Sequence, residues 1–260
     1  MQVFGDDGAR IDVRVDGADG NAVVMIHGFP LTRDIWDAQA KALARTHRVV
    51  LPDLRGMGAS SVPDGPYLME TLASDIAAAL DALAIQRAAF VGHSLGGYVA
   101  LAFARMYTER VTHLALVCSR IAADTQEIEE NRRKNADSIE RDGALPPEMT
   151  SRLFAPETLS ERPELAARVL DAARGLDPRG AAGMLRGMAL RAPSDDIAPD
   201  LEFPVLVVAG ARDAVIPIEE ARAAARAFPK GRLVVCERSG HLPMLEEPDR
   251  VTEALTALLT

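Results

Sequence analysis

One serine lies between two glycines at a spacing that suits a nucleophile. The segment GHSLG (92–96) fits the pattern G-x-S-x-G and joins an apolar run, AAFVGHS (88–94), to a helical stretch, Leu95–Met106. A turn from strand to helix lifts the serine hydroxyl to the edge of a sheet, and glycines two residues away leave room for the strained backbone. The alternative is that the glycines only pack the helix on the strand. The position between strand and helix favours Ser94 as a nucleophile.

An acid and a base follow this serine in the chain order Ser, acid, His, which such a turn requires. A serine hydroxyl is a weak nucleophile unless a base held by a third group takes its proton. Asp213 comes after the apolar run FPVLVVAG (203–210), and His241 comes after the run GRLVVCE (231–237). Both stand at the carboxyl ends of predicted strands, where open α/β sheets bind their ligands. We predict Ser94 as the nucleophile, Asp213 as the acid and His241 as the base.

Two other interpretations of the acid stay open. Asp213 could merely cap the helix that begins near Pro217, which is a common role for an Asp in a turn. Asp124, in the loop after the predicted strand LALVCS (114–119), is a rival acid. We favour Asp213, because it stands in the loop at the carboxyl end of the next-to-last predicted strand, where open α/β sheets meet their ligands.

The five histidines stand in different places along the chain. His47 and His113 open predicted strands, so we expect them to be surface or packing residues. His93 is inside the turn and is expected to pack beneath it rather than to titrate. His241 alone is positioned as a base.

Acyl transfer also needs hydrogen-bond donors for the oxyanion that develops in the transition state. One donor is expected to be the backbone N–H of Leu95, the residue after the nucleophile. The second is expected from the loop after the strand AVVMI (22–26), where Gly28 lets the backbone bend and Phe29 supplies the N–H. His27 is expected to fix this loop by hydrogen bonds. The alternative is a simple Gly-Pro turn.

Short apolar runs alternate with helical stretches along the chain. The first run, IDVRV (11–15), alternates apolar and polar residues and follows GDDG (5–8), which can close a hairpin. The later runs are apolar on both faces, as in parallel strands that helices cover on each side. These runs are AVVMIHG (22–28), HRVVLPD (47–53), AAFVGHS (88–94), LALVCS (114–119), FPVLVVAG (203–210) and GRLVVCE (231–237), and the predicted helices between them are Trp36–Ala44, Met69–Leu83, Leu95–Met106, Glu219–Phe228 and Asp249–Leu259. The alternation predicts a doubly wound α/β sheet.

The alternation of predicted strands and helices breaks between about Ile121 and Asp200, where no convincing strand occurs. An insertion of this length is too long for a plain connection between two strands. We therefore predict a core formed by residues 1–120 and 201–260, with a helical lid inserted over residues 121–200. The helices of the lid are predicted near Gln126–Arg141, Pro147–Leu153, Pro163–Leu176 and Arg179–Leu190.

Composition excludes several classes of protein. The 260 residues carry a net charge of −9 without a run of four Lys or Arg, which argues against nucleic acid and anionic membranes as partners. No apolar run approaches the length of a membrane-spanning helix, and the early acids and turn argue against a signal peptide. Cys118 and Cys236 are the only cysteines. They favour a reducing cytoplasm, and we expect both to be buried without a redox or metal role.

Five segments together resemble the α/β-hydrolase superfamily, in the group with a short helical lid that contains carboxylesterases, enol-lactonases, carbon–carbon bond hydrolases and epoxide hydrolases. The segments are HGFPLTRDIWDAQ (27–39), VVLPDLRGMGAS (49–60), FVGHSLGGYVALAFA (90–104), VLVVAGARDAVIP (205–217) and SGHLPMLEEPDRV (239–251). The resemblance implies a mostly parallel, eight-stranded doubly wound sheet with an inserted helical cap. It implies a triad of Ser94, Asp213 and His241, oxyanion donors at Phe29 and Leu95, and neither a metal nor an organic cofactor.

Residues near the turn separate members of this superfamily. Epoxide hydrolases and haloalkane dehalogenases have an Asp nucleophile, whereas this chain has Ser94. Cofactor-free haloperoxidases tend to have a Trp beside the oxyanion loop, where this chain has Phe29, and receptors on this fold often lack the glycine pair Gly96-Gly97. We predict a serine hydrolase that cleaves small carboxylic esters through an acyl-enzyme. The alternatives are a lactonase or carbon–carbon bond hydrolase with the same triad, and a non-catalytic small-molecule receptor.

The lid contains candidates for the substrate pocket. Three apolar residues could line an acyl pocket, and the alternative is that they pack the lid on the core. They are Phe154, Met184 and Met188. Three arginines could meet a substrate carboxylate, as expected for an enol-lactonase of a diacid, and the alternative is a solvated helix face. They are Arg132, Arg133 and Arg191.

Overall fold

The computed structural model describes residues 1–17, 20–146 and 148–260. Its strands are β1 (Gln2–Phe4), β2 (Arg10–Asp16), β3 (Ala22–Ile26), β4 (Arg48–Pro52), β5 (Ala88–His93), β6 (Val111–Val117), β7 (Val205–Gly210) and β8 (Gly231–Cys236). They form one sheet in the order β1-β2-β4-β3-β5-β6-β7-β8. β2 pairs antiparallel with both β1 and β4, and the remaining pairs are parallel. The predicted mostly parallel, eight-stranded doubly wound sheet is therefore confirmed.

Successive residues of the central strands point to opposite faces of the sheet, and both faces are buried. In β3, Val24 and Ile26 belong to one apolar cluster, whereas Val23 and Met25 belong to another. A strand that is apolar on both faces is stable only when other elements cover both. These apolar runs therefore require helices on each side of the sheet.

Eleven helices accompany the sheet in the described residues. They are α1 (Asp37–Leu43), α2 (Met69–Ala82), α3 (Leu95–Met106), α4 (Gln126–Asp142), α5 (Glu148–Ser151), α6 (Pro156–Glu161), α7 (Pro163–Arg174), α8 (Pro178–Ala189), α9 (Ile218–Ala227), α10 (Pro243–Glu246) and α11 (Pro248–Leu259). α2 buries a stripe that includes Leu72, Ile76 and Leu80, at the spacing of one helix face. α3 packs against α2, β5 and β6, which explains why it is buried over most of its length.

Helices α4 to α8 all lie between β6 and β7, and the described residues of this segment form no strand. α4 packs along α8. At the start of α4, the Thr125 hydroxyl accepts a hydrogen bond from the N–H of Ile128 (3.3 Å), and Gly143 ends the helix with a φ of 71°. The helical character of the insertion matches the prediction, and the division into core and lid at residues 120 and 200 stays a prediction.

Some element boundaries differ from the prediction. The helix expected over Pro147–Leu153 spans only Glu148–Ser151, and Pro147 lies outside the described residues. α6 was not predicted, because six residues are too few to show a helical period.

Across the described part of the chain, no helix is both long enough and apolar enough to cross a membrane.

Candidate active site

Ser94 occupies the turn between β5 and α3 with φ 49° and ψ −112°, a conformation that residues with a side chain rarely adopt. The neighbouring glycines fit this turn for a steric reason. A Cβ on Gly92 would collide with the carbonyl of Gly96, and a Cβ on Gly96 would collide with the carbonyl of Ile26. The N–H of Ser94 donates to the carbonyl of Val117 on β6 (2.9 Å), which holds the turn against the sheet.

Asp213 and His241 form a buried, hydrogen-bonded pair. Nδ1 of His241 lies 2.8 Å from Oδ2 of Asp213, and the side chains are 1% and 2% exposed, respectively. The other oxygen of Asp213, Oδ1, accepts hydrogen bonds from the N–H groups of Val215 (2.7 Å) and Ile216 (3.0 Å). Asp213 therefore shapes its own loop and also contacts the imidazole, while the next helix begins only at Ile218.

The surroundings keep the Asp213 carboxylate ionised. Burial alone would raise its pKa, but the charge of His241 and the hydrogen bonds from His241, Ile216 and Val215 more than offset burial and lower the pKa of Asp213 below its usual value. An ionised carboxylate accepts a hydrogen bond from Nδ1–H of His241, which keeps the proton of the neutral ring on Nδ1 and leaves Nε2 free to accept a proton. The pair therefore has the electrostatics of a general base with its orienting acid.

The rival acid, Asp124, is bound by arginines rather than by a histidine. Its carboxylate accepts hydrogen bonds from Nε of Arg132 (2.6 Å) and Nη2 of Arg191 (3.2 Å), and Nη1 of Arg120 lies 3.7 Å away. Burial would raise the pKa of Asp124, but Arg132 and Arg191 lower it below its usual value. The geometry therefore favours Asp213 over Asp124 as the acid.

Ser94 and His241 line one cavity of about 590 Å³ between the sheet edge and helices α4, α5 and α8. Within the described residues, no hydrogen bond joins the Ser94 hydroxyl to the imidazole of His241. In unliganded enzymes such catalytic hydrogen bonds are often long or poorly aligned, and they tighten when substrate binds. The structure thus brings Ser94 and His241 to one cavity, and Asp213 already contacts the imidazole of His241.

Of the three apolar residues predicted for the substrate pocket, only Met188 lines this cavity. α8 directs Leu185 and Met188 toward the cavity. Met184 is fully buried in the core cluster and does not line this cavity. Phe154 lies away from it as well, in a separate groove of about 360 Å³ that Leu159 also lines.

The loop that follows β3 is fixed by one buried histidine and rests against another. Nδ1 of His27 lies 3.0 Å from the carbonyl of Gly28, and its Nε2 accepts a hydrogen bond from the N–H of Leu54 (3.0 Å). Burial lowers the pKa of His27, so the ring is neutral with its proton on Nδ1. A Cβ on Gly28 would collide with the imidazole of His93. These contacts match the expected role of His27 in holding the loop.

Of the two predicted oxyanion donors, Leu95 directly follows Ser94, and Phe29 lines the same cavity as Ser94. The N–H of Leu95 stands at the start of α3, where the first N–H groups have no partner within the helix. In the chain as described, neither this N–H nor that of Phe29 donates a hydrogen bond to a protein atom. The side chain of Phe29 lines the cavity. Both N–H groups therefore lack a protein acceptor in the described chain, as an oxyanion donor must, and their role stays a prediction.

The cavity wall contains three arginines although the whole chain carries a net charge of −9, and two of them, Arg120 and Arg132, are already paired with Asp124. Arg120, Arg132 and Arg152 line the cavity together with Asn131 and Asn135, and its described lining includes no Asp or Glu. An anionic group of a ligand would meet guanidinium and amide donors there.

The three arginines predicted to meet a carboxylate fall in different places. Arg132 lines the cavity. Arg133 pairs with Glu129 on the exposed side of α4 (3.1 Å), and Arg191 stacks on the ring of Tyr98 at 4.1 Å. Sequence reasoning missed the other cavity arginines, because their orientation depends on how the lid packs on the core.

Sequence reasoning also passed over Glu246, a buried carboxylate. Its Oε1 accepts a hydrogen bond from the N–H of Gly240 (2.8 Å), and its Oε2 accepts from the N–H of Ala155 (2.9 Å) and the hydroxyl of Thr158 (2.6 Å). Glu246 therefore ties the loop that carries His241 to the lid. The only signal in the sequence was an acid at the end of the apolar stretch LPML (242–245).

Cys118 lies beside the Asp213–His241 pair. One potential ligand atom from each of the three residues falls within 4.8 Å of the others. Burial raises the pKa of the Cys118 thiol well above its usual value, so the thiol is protonated, whereas metal binding needs a thiolate. Asp213 and His241 also already share a hydrogen bond. The chemistry of this donor set fits a proton relay better than a metal site. Both Cys118 and Cys236 are buried, as predicted.

Comparison with known proteins agrees with this geometry. The sequence matches the alpha/beta hydrolase fold family over residues 21–248. The chain belongs to the α/β-hydrolase family. It is similar in structure to a thermophilic esterase from Thermogutta terrifontis, solved with malate bound, with a TM-score of 0.95 and 38% identity over 100% of this chain and 97% of the other.

Enol-lactonases are also similar to this α/β hydrolase. The enol-lactonase from Burkholderia xenovorans LB400 has a TM-score of 0.90 and 26% identity, covering 100% of this chain and 99% of the other. The 3-oxoadipate enol-lactonase 2 of Acinetobacter baylyi is 29% identical over 93% of this chain and 90% of its own length. The predicted superfamily is therefore confirmed, and its esterase and lactonase members support hydrolase activity.

Proposed function

We propose that this α/β hydrolase cleaves small carboxylic esters through an acyl-enzyme formed on Ser94. The observation that carries the proposal is the buried Asp213–His241 pair, joined at 2.8 Å, whose imidazole lines the same cavity as Ser94. The esterase relative, similar over the whole chain, supports the same activity.

The chemistry follows from the placement of these groups. Ser94 Oγ attacks the ester carbonyl while Nε2 of His241 takes its proton, and Asp213 holds the imidazole in the needed tautomer and stabilises the imidazolium. The N–H groups of Phe29 and Leu95 stabilise the tetrahedral oxyanion. His241 then protonates the leaving alcohol. Water, activated by His241, attacks the acyl-enzyme and releases the acid.

The experiment that tests this proposal combines labelling with turnover. A fluorophosphonate should label wild-type protein at Ser94, identified by mass spectrometry of the modified peptide. Ser94→Ala should lose both the label and p-nitrophenyl acetate turnover, by about 10⁴-fold or more. Ser160→Ala, on the exposed side of α6, is the matched control and should keep both. Turnover retained in folded Ser94→Ala would overturn the proposal.

Acylation without turnover would instead identify a non-catalytic receptor. A single equivalent of p-nitrophenol released, followed by no steady state, is that outcome. A chain-length series of p-nitrophenyl esters then measures the acyl size that the cavity accepts.

A second candidate is a lactonase for lactones that carry a carboxylate. Arg152 in the cavity wall favours it, because guanidinium groups bind carboxylates through charge-assisted hydrogen bonds, and Arg120 and Arg132 are already paired with Asp124. The enol-lactonase relatives support the same class of substrate. A panel that pairs each lactone with its open-chain ester, with and without a carboxylate, separates the two candidates. Higher kcat/KM for the anionic lactones would establish the lactonase.

A further inference from the structure

One buried imidazole outside the proposed triad contacts both parts of the site that must be aligned with Ser94. His93 ends β5, immediately before Ser94, and its side chain is 0% exposed. Its Nε2 lies 2.8 Å from the backbone carbonyl of His241, and the two imidazole rings are 4.9 Å apart between centroids. Its other edge lies against Gly28, where an added Cβ would collide with Nδ1 and lie 2.8 Å from Cε1.

The hydrogen bond determines the tautomer of His93. A carbonyl oxygen only accepts hydrogen bonds, so Nε2 must carry a proton, and in the neutral ring Nδ1 is then bare. Nδ1 is buried and has no hydrogen-bond partner within the described residues, which fits its position against the Cα of Gly28. Burial and the neighbouring His241 lower the pKa of His93 well below its usual value, in agreement with a neutral ring.

A neutral ring at this position has a consequence for the reaction. The proposed mechanism puts a positive charge on His241 in the transition state, and a second cation 4.9 Å away would oppose that charge. His27, on the other side of Gly28, has the opposite tautomer and is neutral as well. The loop is therefore held between two uncharged imidazoles.

We propose that His93 is a positioning residue, whose single imidazole sets the main chain of His241 and the Gly28–Phe29 loop relative to Ser94. The inference rests on the proposed function. One side of the ring donates to the base's own carbonyl, and the other supports the loop that supplies an oxyanion donor. Loss of the donor would let the loop of His241 move, and displacements of about 1 Å between reacting groups cost about 100-fold in rate.

Substitution of His93 by either of the two amide residues tests its Nε2–H donor, because both replacements keep a polar side chain. His93→Gln places an N–H donor at about the reach of Nε2, whereas the shorter side chain of His93→Asn does not. We expect kcat for p-nitrophenyl acetate to fall about 10- to 100-fold in His93→Asn and to stay within about threefold of wild type in His93→Gln. KM should change less than about threefold in both, because the substrate contacts remain. His113→Asn, half-buried near the opposite end of β6, is the matched control and should keep wild-type kcat.

Folding and labelling measurements separate the possible outcomes. Thermal unfolding and circular dichroism establish that each variant folds, and the fluorophosphonate reaction rate at Ser94 reports acylation alone. Wild-type kcat in folded His93→Asn would overturn the inference, as would a folded His93→Gln as slow as His93→Asn. If both variants fail to fold, His93 has a structural role only and the inference is likewise overturned. Failure of wild-type protein to label at Ser94 would instead overturn the proposed function.

Discussion

Ser94 and Cys118 are neighbours at the carboxyl ends of β5 and β6, and each has a positive φ, 49° and 47°. Backbone hydrogen bonds to the neighbouring strands fix both residues in place. The N–H of Ser94 donates to the carbonyl of Val117, and the N–H of Cys118 donates to the carbonyl of Val208 (2.8 Å). The hydroxyl of Ser119 donates to the carbonyl of Ser94 (2.8 Å). The sheet thus keeps two strained residues side by side, one of them the proposed nucleophile.

This strain predicts a difference between two inactive variants. Both Ser94→Ala and Ser94→Gly remove the hydroxyl, but only glycine adopts the conformation of residue 94 without a steric penalty. Backbone strain of this kind costs about 1–3 kcal/mol, and the greater freedom of glycine in the unfolded chain offsets up to about 1 kcal/mol of the gain. We expect Ser94→Gly to have the higher free energy of unfolding by about 1 kcal/mol in urea titrations. Equal stabilities, or a more stable alanine variant, would contradict the strain argument.

The two candidate acids make opposite predictions for substitution by asparagine. Asp213→Asn removes the charge that holds the His241 tautomer, so kcat should fall by about 10⁴-fold with little change in fold. Asp124→Asn leaves that pair intact and weakens the contacts to Arg132 and Arg191. It should lower the melting temperature and retain most of kcat. Steady-state kinetics and thermal unfolding of both variants check this, and the reverse pattern would identify Asp124 as the acid.

The elements that carry the candidate triad were predictable because their signals are local. Ser94 lies in a short strand-turn-helix pattern, and Asp213 and His241 each follow an apolar strand, so parallel pairing alone brings the three to one edge. The buried strands are apolar on both faces, which predicts a sheet covered by helices on each side. No long-range contact had to be known.

The cavity wall could not be predicted in the same way. Which side of α8 faces the cavity depends on how α8 packs against α4 and the core, and that packing buries Met184 while leaving Leu185 and Met188 at the wall. Arg152 lines the cavity because of how the lid folds, and no pattern in the neighbouring sequence indicates this position. The role of Glu246 likewise depends on a contact between the lid and a loop 88 or more residues away.

The two buried histidines predict how stability depends on pH. Burial lowers the folded-state pKa of both His27 and His93, and the ionisable groups around His93 are His241, Asp213 and His27. The unfolded chain takes up protons below about pH 6.5, whereas the folded chain does not until its lower pKa values are reached. The free energy of unfolding should therefore fall as pH drops below about 6.5, by about 1.4 kcal/mol per pH unit for each ring.

Replacing the imidazole of His93 should reduce the dependence of the free energy of unfolding on pH. Urea unfolding of wild type and His93→Gln at about pH 7.5, 6.5 and 5.5 measures it, and the variant should lose less stability below pH 6.5 by about 1.4 kcal/mol per unit. Asp213 has a depressed pKa and contributes its own loss only at lower pH, near the ordinary carboxyl range. Parallel curves for the two proteins would show that His93 titrates in the folded state as it does in the unfolded chain.

The position of Arg152 predicts that the protein prefers substrates whose acyl group ends in a carboxylate. Its guanidinium lines the cavity, donates to the carbonyl of Ala214 (3.3 Å) and has no carboxylate partner among the described residues. Arg152→Gln should lower kcat/KM about three- to tenfold for the p-nitrophenyl half-ester of a dicarboxylic acid, and leave the neutral ester of the same length unchanged. Because Arg152 is exposed, added salt should shrink the wild-type preference. Arg133→Gln removes an equal charge from the outer face of α4, away from the cavity, and should have no such effect. If the preference for the half-ester persists in Arg152→Gln, or disappears equally in both variants, then Arg152 does not bind the substrate carboxylate.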